Sequence, residues 1–297
     1  MPTLPPIRLV NARTLMDGGL EDHPVTIRDG RIDTSPGREV DLSGYLLLPG
    51  IIDLHGDGFE RHLSPRPTAP FDKARGLASV AGELAANGIT TAWLAQSWSW
   101  EGGFRSGDAA VALMEALDRA RGGVLADLRV QLRLETHVID QHEAVLEAVA
   151  RHRVDFVVFN NHLPEAVEMA ATRPHRFASW AAQTSRTADE MLAIVRAAEA
   201  QETEVPAALT TIAGRFAALG VTMGSHDDAT AETRAFYRGI RAEISEVPTT
   251  VEAANAAHAA GEPVLMGAPN VVRGGSQTGN IAAADLVAEG LVDALMS

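Results

Sequence analysis

Leu46-Leu47-Leu48-Pro49-Gly50-Ile51-Ile52-Asp53-Leu54-His55-Gly56-Asp57-Gly58-Phe59-Glu60-Arg61-His62 is the stretch on which the reading of this chain turns. The apolar run that straddles Pro49-Gly50 and ends at Leu54 is short enough for a fully buried strand. Side chains alternate along a strand, so His55 and Asp57 project to the same side. Barrel enzymes keep their chemistry on side chains that leave the carboxyl ends of parallel strands. Taken alone, a packed histidine beside a surface turn would be the stronger explanation of His-x-Asp. The rest of the chain reverses that.

From residue 51 onward, strand and helix patterns alternate. Strands are expected near 51–57, 89–96, 129–135, 155–161, 221–226, 242–247, 263–268 and 291–297. Alanine-rich amphipathic segments at 77–87, 109–121, 143–152 and 251–260 separate several of them. Eight strands with helices between them predict an α/β fold, a (β/α)8 TIM-type barrel over 49–297. Residues 164–219 are polar and helical with no strand signal, which predicts an excursion over the barrel mouth. Residues 1–48 read differently: a strand near 8–12, then a hairpin turning on Asp29-Gly30, form a small β module.

Composition narrows the chemistry. With no cysteine among 297 residues, disulfides and thiolate metal sites are excluded, and any metal must be held by nitrogen and oxygen. The net charge of −14 argues against a nucleic-acid binder, which needs a basic footprint. A small phosphorylated substrate stays compatible if metals and local arginines receive it. No apolar run has the roughly 18 residues that a membrane span requires, and no secretory signal precedes Val10. A cytoplasmic enzyme without membrane contact is the expectation, and a homo-oligomer is compatible with it.

Several strand ends carry ligand-type residues. Arg133-Leu134-Glu135 closes the third strand, Phe159-Asn160-Asn161-His162 the fourth, and Ser225-His226-Asp227-Asp228 the fifth. With His55 and Asp57, these bring Glu135, His162 and His226 to one rim, a mixture that suits zinc, manganese or iron. Two ions bridged by Glu135 would form a two-metal hydrolase site. His137 is ambiguous, and His23, His142, His152, His175 and His258 belong to polar turns or helices. His62 is a candidate proton donor. Arg61 and Arg66, stiffened by Pro65 and Pro67, look built for anions. In Met266-Gly267-Ala268-Pro269-Asn270-Val271-Val272-Arg273-Gly274-Gly275-Ser276, Arg273 and amides near Gly274 and Gly275 are candidates to hold phosphate. Trp98 and Trp100 could stack on a sugar or pack beneath the excursion.

These motifs, together with Asn87-Gly88-Ile89-Thr90-Thr91-Ala92, resemble the amidohydrolase superfamily. Within it, they are similar to the diphosphatases of the carbon–phosphorus lyase pathway. The resemblance covers 48–297. It implies a metal-dependent enzyme that cleaves a phosphoanhydride of α-D-ribose 1-methylphosphonate 5-triphosphate and releases pyrophosphate. It also implies His55, Asp57, Glu135, His162 and His226 as metal ligands, and places Asn270 beside the substrate. The superfamily's last strand ends in an aspartate that relays the proton of the attacking water. Here Val292-Asp293-Ala294-Leu295-Met296-Ser297 stops where that residue is expected next, and Asp293 stands at the strand's start. Asp227, Asp228 and His62 are therefore the alternatives for proton transfer, with Asp227 and His62 the leading candidates. Asn161 stands where the family has an aspartate. A C–N hydrolase of the same superfamily and a non-catalytic metal-binding barrel are the competing readings.

Overall fold

The protein is described from a computed structural model that covers residues 5–65, 71–276 and 279–297. Arg66 lies outside the described residues. The chain separates into two compact units, Met1–Ile51 and Ile52–Ser297.

The first unit holds two small sheets. One has the order Arg31–Asp33, Val25–Arg28, Ile7–Val10 and Arg38–Asp41; the other has the order Gly19–Asp22, Arg13–Met16 and Leu46–Leu47. The Val25–Arg28 hairpin turns on Asp29 (φ 50°) and Gly30 (φ 74°), the two positive dihedrals that a tight hairpin turn requires.

In the second unit, eight strands run parallel in sequential order: Ile51–Gly56, Ile89–Trp98, Asp127–Glu135, Phe156–Asn160, Thr222–His226, Ile244–Glu246, Val264–Gly267 and Ala294–Met296. They form the expected barrel. The first and last strands meet through Asp53, which accepts the Ser297 backbone N–H at 3.0 Å and the Ser297 hydroxyl.

The third strand shows how the sequence divides inside from outside. Val130, Leu132 and Leu134 join the main apolar cluster with the surrounding helices, whereas Gln131, Arg133 and Glu135 take the opposite face. The large apolar core therefore lies between strands and helices, which leaves the inner face polar near its carboxyl end. At the amino ends, Arg129 covers the Trp93 ring at 4.6 Å and pairs with Asp155 at 2.9 Å.

The excursion between the fourth and fifth strands consists of helices Leu163–Thr172, Pro174–Gln183, Ala188–Glu199 and Val205–Ala218. Each starts on a recognisable signal: prolines in the first turn of three of them, and a Thr187–Glu190 capping box on Ala188–Glu199. Trp180 meets Trp100 edge-on at 6.0 Å, Arg186 donates to the Glu101 carbonyl, and Glu202 holds His137 at 2.8 Å. The excursion thus packs on the loops that follow the second and third strands.

Candidate active site

His55 and His226 end the first and fifth barrel strands, and their rings stack with centroids 5.1 Å apart. Each turns Nδ1 toward the same oxygen of Glu246, at 2.9 and 3.2 Å. Glu246 ends the sixth strand and is fully enclosed, and its other oxygen accepts Gln131 Nε2 at 2.5 Å. The Nε2 atoms are left for other partners: that of His55 is 3.5 Å from Asp57 and that of His226 is 3.7 Å from Asp227. A carboxylate that holds one ring nitrogen while the other is offered outward is the usual support of a metal-ligating imidazole. Burial disfavours charge on His55, but Glu246 outweighs it and holds the imidazole up at about 9. Burial also pushes Glu246 up, yet His55 and His226 pull it down to about 2. His226 shifts the other way, lowered by burial and then by the Arg133 guanidinium.

Glu135, at the end of the third strand, gathers a second group. His162 Nδ1 lies 2.8 Å from Glu135 Oε1, and the His162 backbone N–H donates to Oε2 at 3.1 Å. Asn160 donates to Glu135 Oε1 at 2.5 Å. Glu101, from the loop after the second strand, reaches to 3.3 Å from His162 Nδ1. Burial works against a charged His162, but these two carboxylates keep it protonated up to about 9. Arg133 touches both groups, with Nη1 4.0 Å from Asp57 and Nη2 3.4 Å from Asn160.

The donor sets fit a divalent ion. Ligand-type atoms of His55, His226 and Glu246 lie within 4.8 Å of one another, and so do those of Glu101, Glu135 and His162. Mixed imidazole and carboxylate donors suit zinc, manganese or iron.

Other sequence candidates are placed differently. Arg61 and His62 both engage Glu83 of helix Lys73–Ala86, His62 at 2.6 Å. Asp227 has a left-handed φ of 61°, which turns its carboxylate beside His226. Asp293 accepts the Val264 backbone N–H, at the amino end of the seventh strand. Trp98 and Trp100, candidates for stacking on substrate or for packing beneath the excursion, are both buried. Trp98 Nε1 donates to Gln141 at 2.7 Å, and Gly107 comes so near that a Cβ there would sit 2.5 Å from the ring. Trp100 is buried against Trp180. The amides of Gly274 and Gly275, expected to face phosphate, both donate to the Asn270 carbonyl, at 3.1 and 3.0 Å. Gly274 adopts φ 82° and caps helix Ala268–Arg273, so the end of that helix consumes the donors. The Asn270 side chain accepts the Ala283 N–H at 3.1 Å. Arg273 is exposed at that helix end.

Three residues escaped the sequence reading: Glu101, Arg133 and Glu246. The strand-end rule that marked Glu135 applies equally to Glu246, which closes the sixth strand. Arg133 shares the inward face of Glu135, two residues away. Glu101 carries no local signal, because it lies in a loop.

No family model matches the chain. A curated relative from Escherichia coli (strain K12), an α-D-ribose 1-methylphosphonate 5-triphosphate diphosphatase, is 32% identical, with 98% of this chain and 78% of that protein covered. Among solved structures, a metal-dependent hydrolase from Pyrococcus furiosus superposes with a TM-score of 0.61 at 8% identity, over 98% of this chain and 85% of that one. A guanine deaminase from C. acetobutylicum gives 0.50 at 8% identity, over 98% of this chain and 74% of that one. At such identities the two structures speak for the fold alone. The sequence relationship, carried along almost the whole chain, goes further: the chain belongs to the α-D-ribose 1-methylphosphonate 5-triphosphate diphosphatase family.

Proposed function

We propose that the protein is a divalent-metal-dependent diphosphatase that hydrolyses α-D-ribose 1-methylphosphonate 5-triphosphate and releases pyrophosphate, in phosphonate catabolism. The observation that carries this reading is the convergence of His55 and His226 on Glu246, and of His162 on Glu135, in a chain 32% identical to the relative of that name. His55, Asp57, Glu135, His162 and His226 would hold one or two ions, zinc, manganese or iron, which when bound would polarise a phosphate oxygen and lower the pKa of water.

In the reaction, the oxygen of water bonds to the α-phosphorus as the α–β bridging P–O bond breaks, and pyrophosphate leaves with the bridging oxygen. The proton of the water passes to a carboxylate. Asp227, held beside His226, is the proposed acceptor. Glu246 keeps both imidazoles oriented, and Arg133 offsets carboxylate charge between the two groups. Arg61, Arg66 and Arg273 are the proposed contacts for the triphosphate.

Phosphorus NMR tests the reaction directly. With this substrate, metal-loaded protein is expected to produce pyrophosphate and the 5-phosphate. Orthophosphate as the first product would refute the bond assignment, and absence of turnover with metal bound would leave a non-catalytic metal-binding barrel. Arg273→Ala is expected to raise KM roughly 10- to 150-fold, which corresponds to the ~1.5–3 kcal/mol of a hydrogen bond to a charged group. An unchanged KM in both Arg273→Ala and Arg66→Ala would favour the C–N hydrolase reading.

A further inference from the structure

Glu101 is a buried carboxylate supplied by the loop after strand Ile89–Trp98 and not by a barrel strand. It is 3% exposed, and its Oε1 lies 3.3 Å from His162 Nδ1, the atom that also approaches Glu135 to 2.8 Å. Its loop is tightly built. The Glu101 backbone N–H donates to Ser99 Oγ at 3.1 Å, and Arg105 Nη1 reaches both carboxylate oxygens at 3.0 and 3.1 Å. Arg186 of the excursion donates to the Glu101 carbonyl and lies so close to Gly102 that a Cβ there would fall 2.5 Å from the guanidinium. The carboxylate is therefore held on the fourth-strand side of the rim by contacts from two directions.

A plain Glu101–Arg105 ion pair would not need His162 or Glu135. Arg105 is 41% exposed at its side chain, so it is partly screened, while Glu101 and Glu135 are both enclosed and share one imidazole. Two enclosed carboxylates with donor atoms within 4.8 Å of each other and of an imidazole form a cage for a cation.

The two donor sets also differ in kind. His55, His226 and Glu246 offer two imidazoles and one carboxylate, whereas Glu101, Glu135 and His162 offer two carboxylates and one imidazole. Imidazole-rich sites suit zinc, and carboxylate-rich sites suit manganese or magnesium.

We propose that Glu101 is a metal ligand which, with Glu135 and His162, completes a second subsite that discriminates less against a harder ion such as Mn²⁺ than the site at His55 and His226 does. This rests on the metal-centre reading above and adds to it a ligand and an unequal ion preference. The test uses metal-stripped full-length protein titrated calorimetrically with Mn²⁺ alone and Zn²⁺ alone, with electron paramagnetic resonance to follow bound Mn²⁺. The intact protein is expected to take up two ions, with a smaller ratio of Zn²⁺ to Mn²⁺ affinity at the Glu101 subsite than at His55 and His226. Glu101→Gln should weaken Mn²⁺ binding by at least about 10- to 100-fold, the loss typical of removing an outer-shell partner, while Zn²⁺ uptake at His55 and His226 stays within about twofold. His226→Ala should do the reverse. Glu101→Asp, which keeps the charge facing Arg105 but shortens the reach, should lose Mn²⁺ affinity with an unchanged circular dichroism spectrum. Unaltered Mn²⁺ affinity in folded Glu101→Gln or Glu101→Asp overturns the role of Glu101 and leaves the metal centre standing. No ion bound by the intact protein would instead overturn the metal centre itself.

Discussion

His55→Ala is expected to lower zinc affinity by more than 100-fold and to abolish measurable hydrolysis. Losing a partner that merely orients a ligand costs about 10- to 100-fold in affinity or activity, and loss of a ligand itself should exceed that. The substitution acts twice here. It removes the Nε2 that faces Asp57, and it deprives Glu246 of one of its two imidazoles. An enclosed carboxylate that loses a charged partner is costly to keep ionised. A chelator applied to the intact protein should reproduce the loss of activity, and zinc should restore it only in the intact protein. Metal content and turnover, measured on the same preparation, check both halves. A His55→Ala protein that retains stoichiometric metal with normal turnover would show that the centre lies elsewhere.

Arg234→Ala carries the largest stability effect expected in the barrel. Arg234 is completely enclosed on helix Ala231–Gly239, which follows the fifth strand. Its Nη1 donates to Asp228 at 2.9 Å and also to Ser225, and its Nη2 donates to the Ala242 carbonyl. Nε lies 3.1 Å from Glu262, close enough for charge attraction although off the angle of a hydrogen bond. Removal leaves Asp228, itself 1% exposed, without its cation, and burial already pushes that carboxyl above its usual range. Breaking a buried pair from one side costs about 3–5 kcal/mol. At about 2–4 °C per kcal/mol, the unfolding midpoint should fall by roughly 6–20 °C. Because Ser225 and Asp228 flank His226 and Asp227, metal affinity should fall as well. Thermal melts followed by circular dichroism decide the matter, and a midpoint within 2 °C of the intact protein's would be incompatible with this account.

The barrel was legible because its signals are local. A short apolar run followed by a polar residue places a side chain at a strand end, and the strand expected at 89–96 is found at Ile89–Trp98. The same logic found His55, Glu135, His162 and His226, each at or just past the end of a barrel strand. The hairpin at Asp29-Gly30 needed only the dihedral preferences of two residues. In each case the deciding interaction lies within a few residues of the one being read.

Partner choice is a different matter. Whether an indole stacks on a sugar or packs under a helix depends on what the chain brings to it, and Gln141 and Trp180 were brought to Trp98 and Trp100. The Gly274 and Gly275 amides offered an anion site until the carbonyl of Asn270 claimed them at a helix end. Glu246 holds His55 from 191 positions away, and only closure of the strands makes them neighbours. By itself the sequence determined the alternation of strands and helices, and the ligand-type residues that leave the strand ends, because periodicity and turn chemistry act over short range. Only the tertiary structure decided which carboxylate supports which imidazole, and which donors were already taken. Those contacts join residues far apart in the chain, and burial sets their strength only once the barrel has formed.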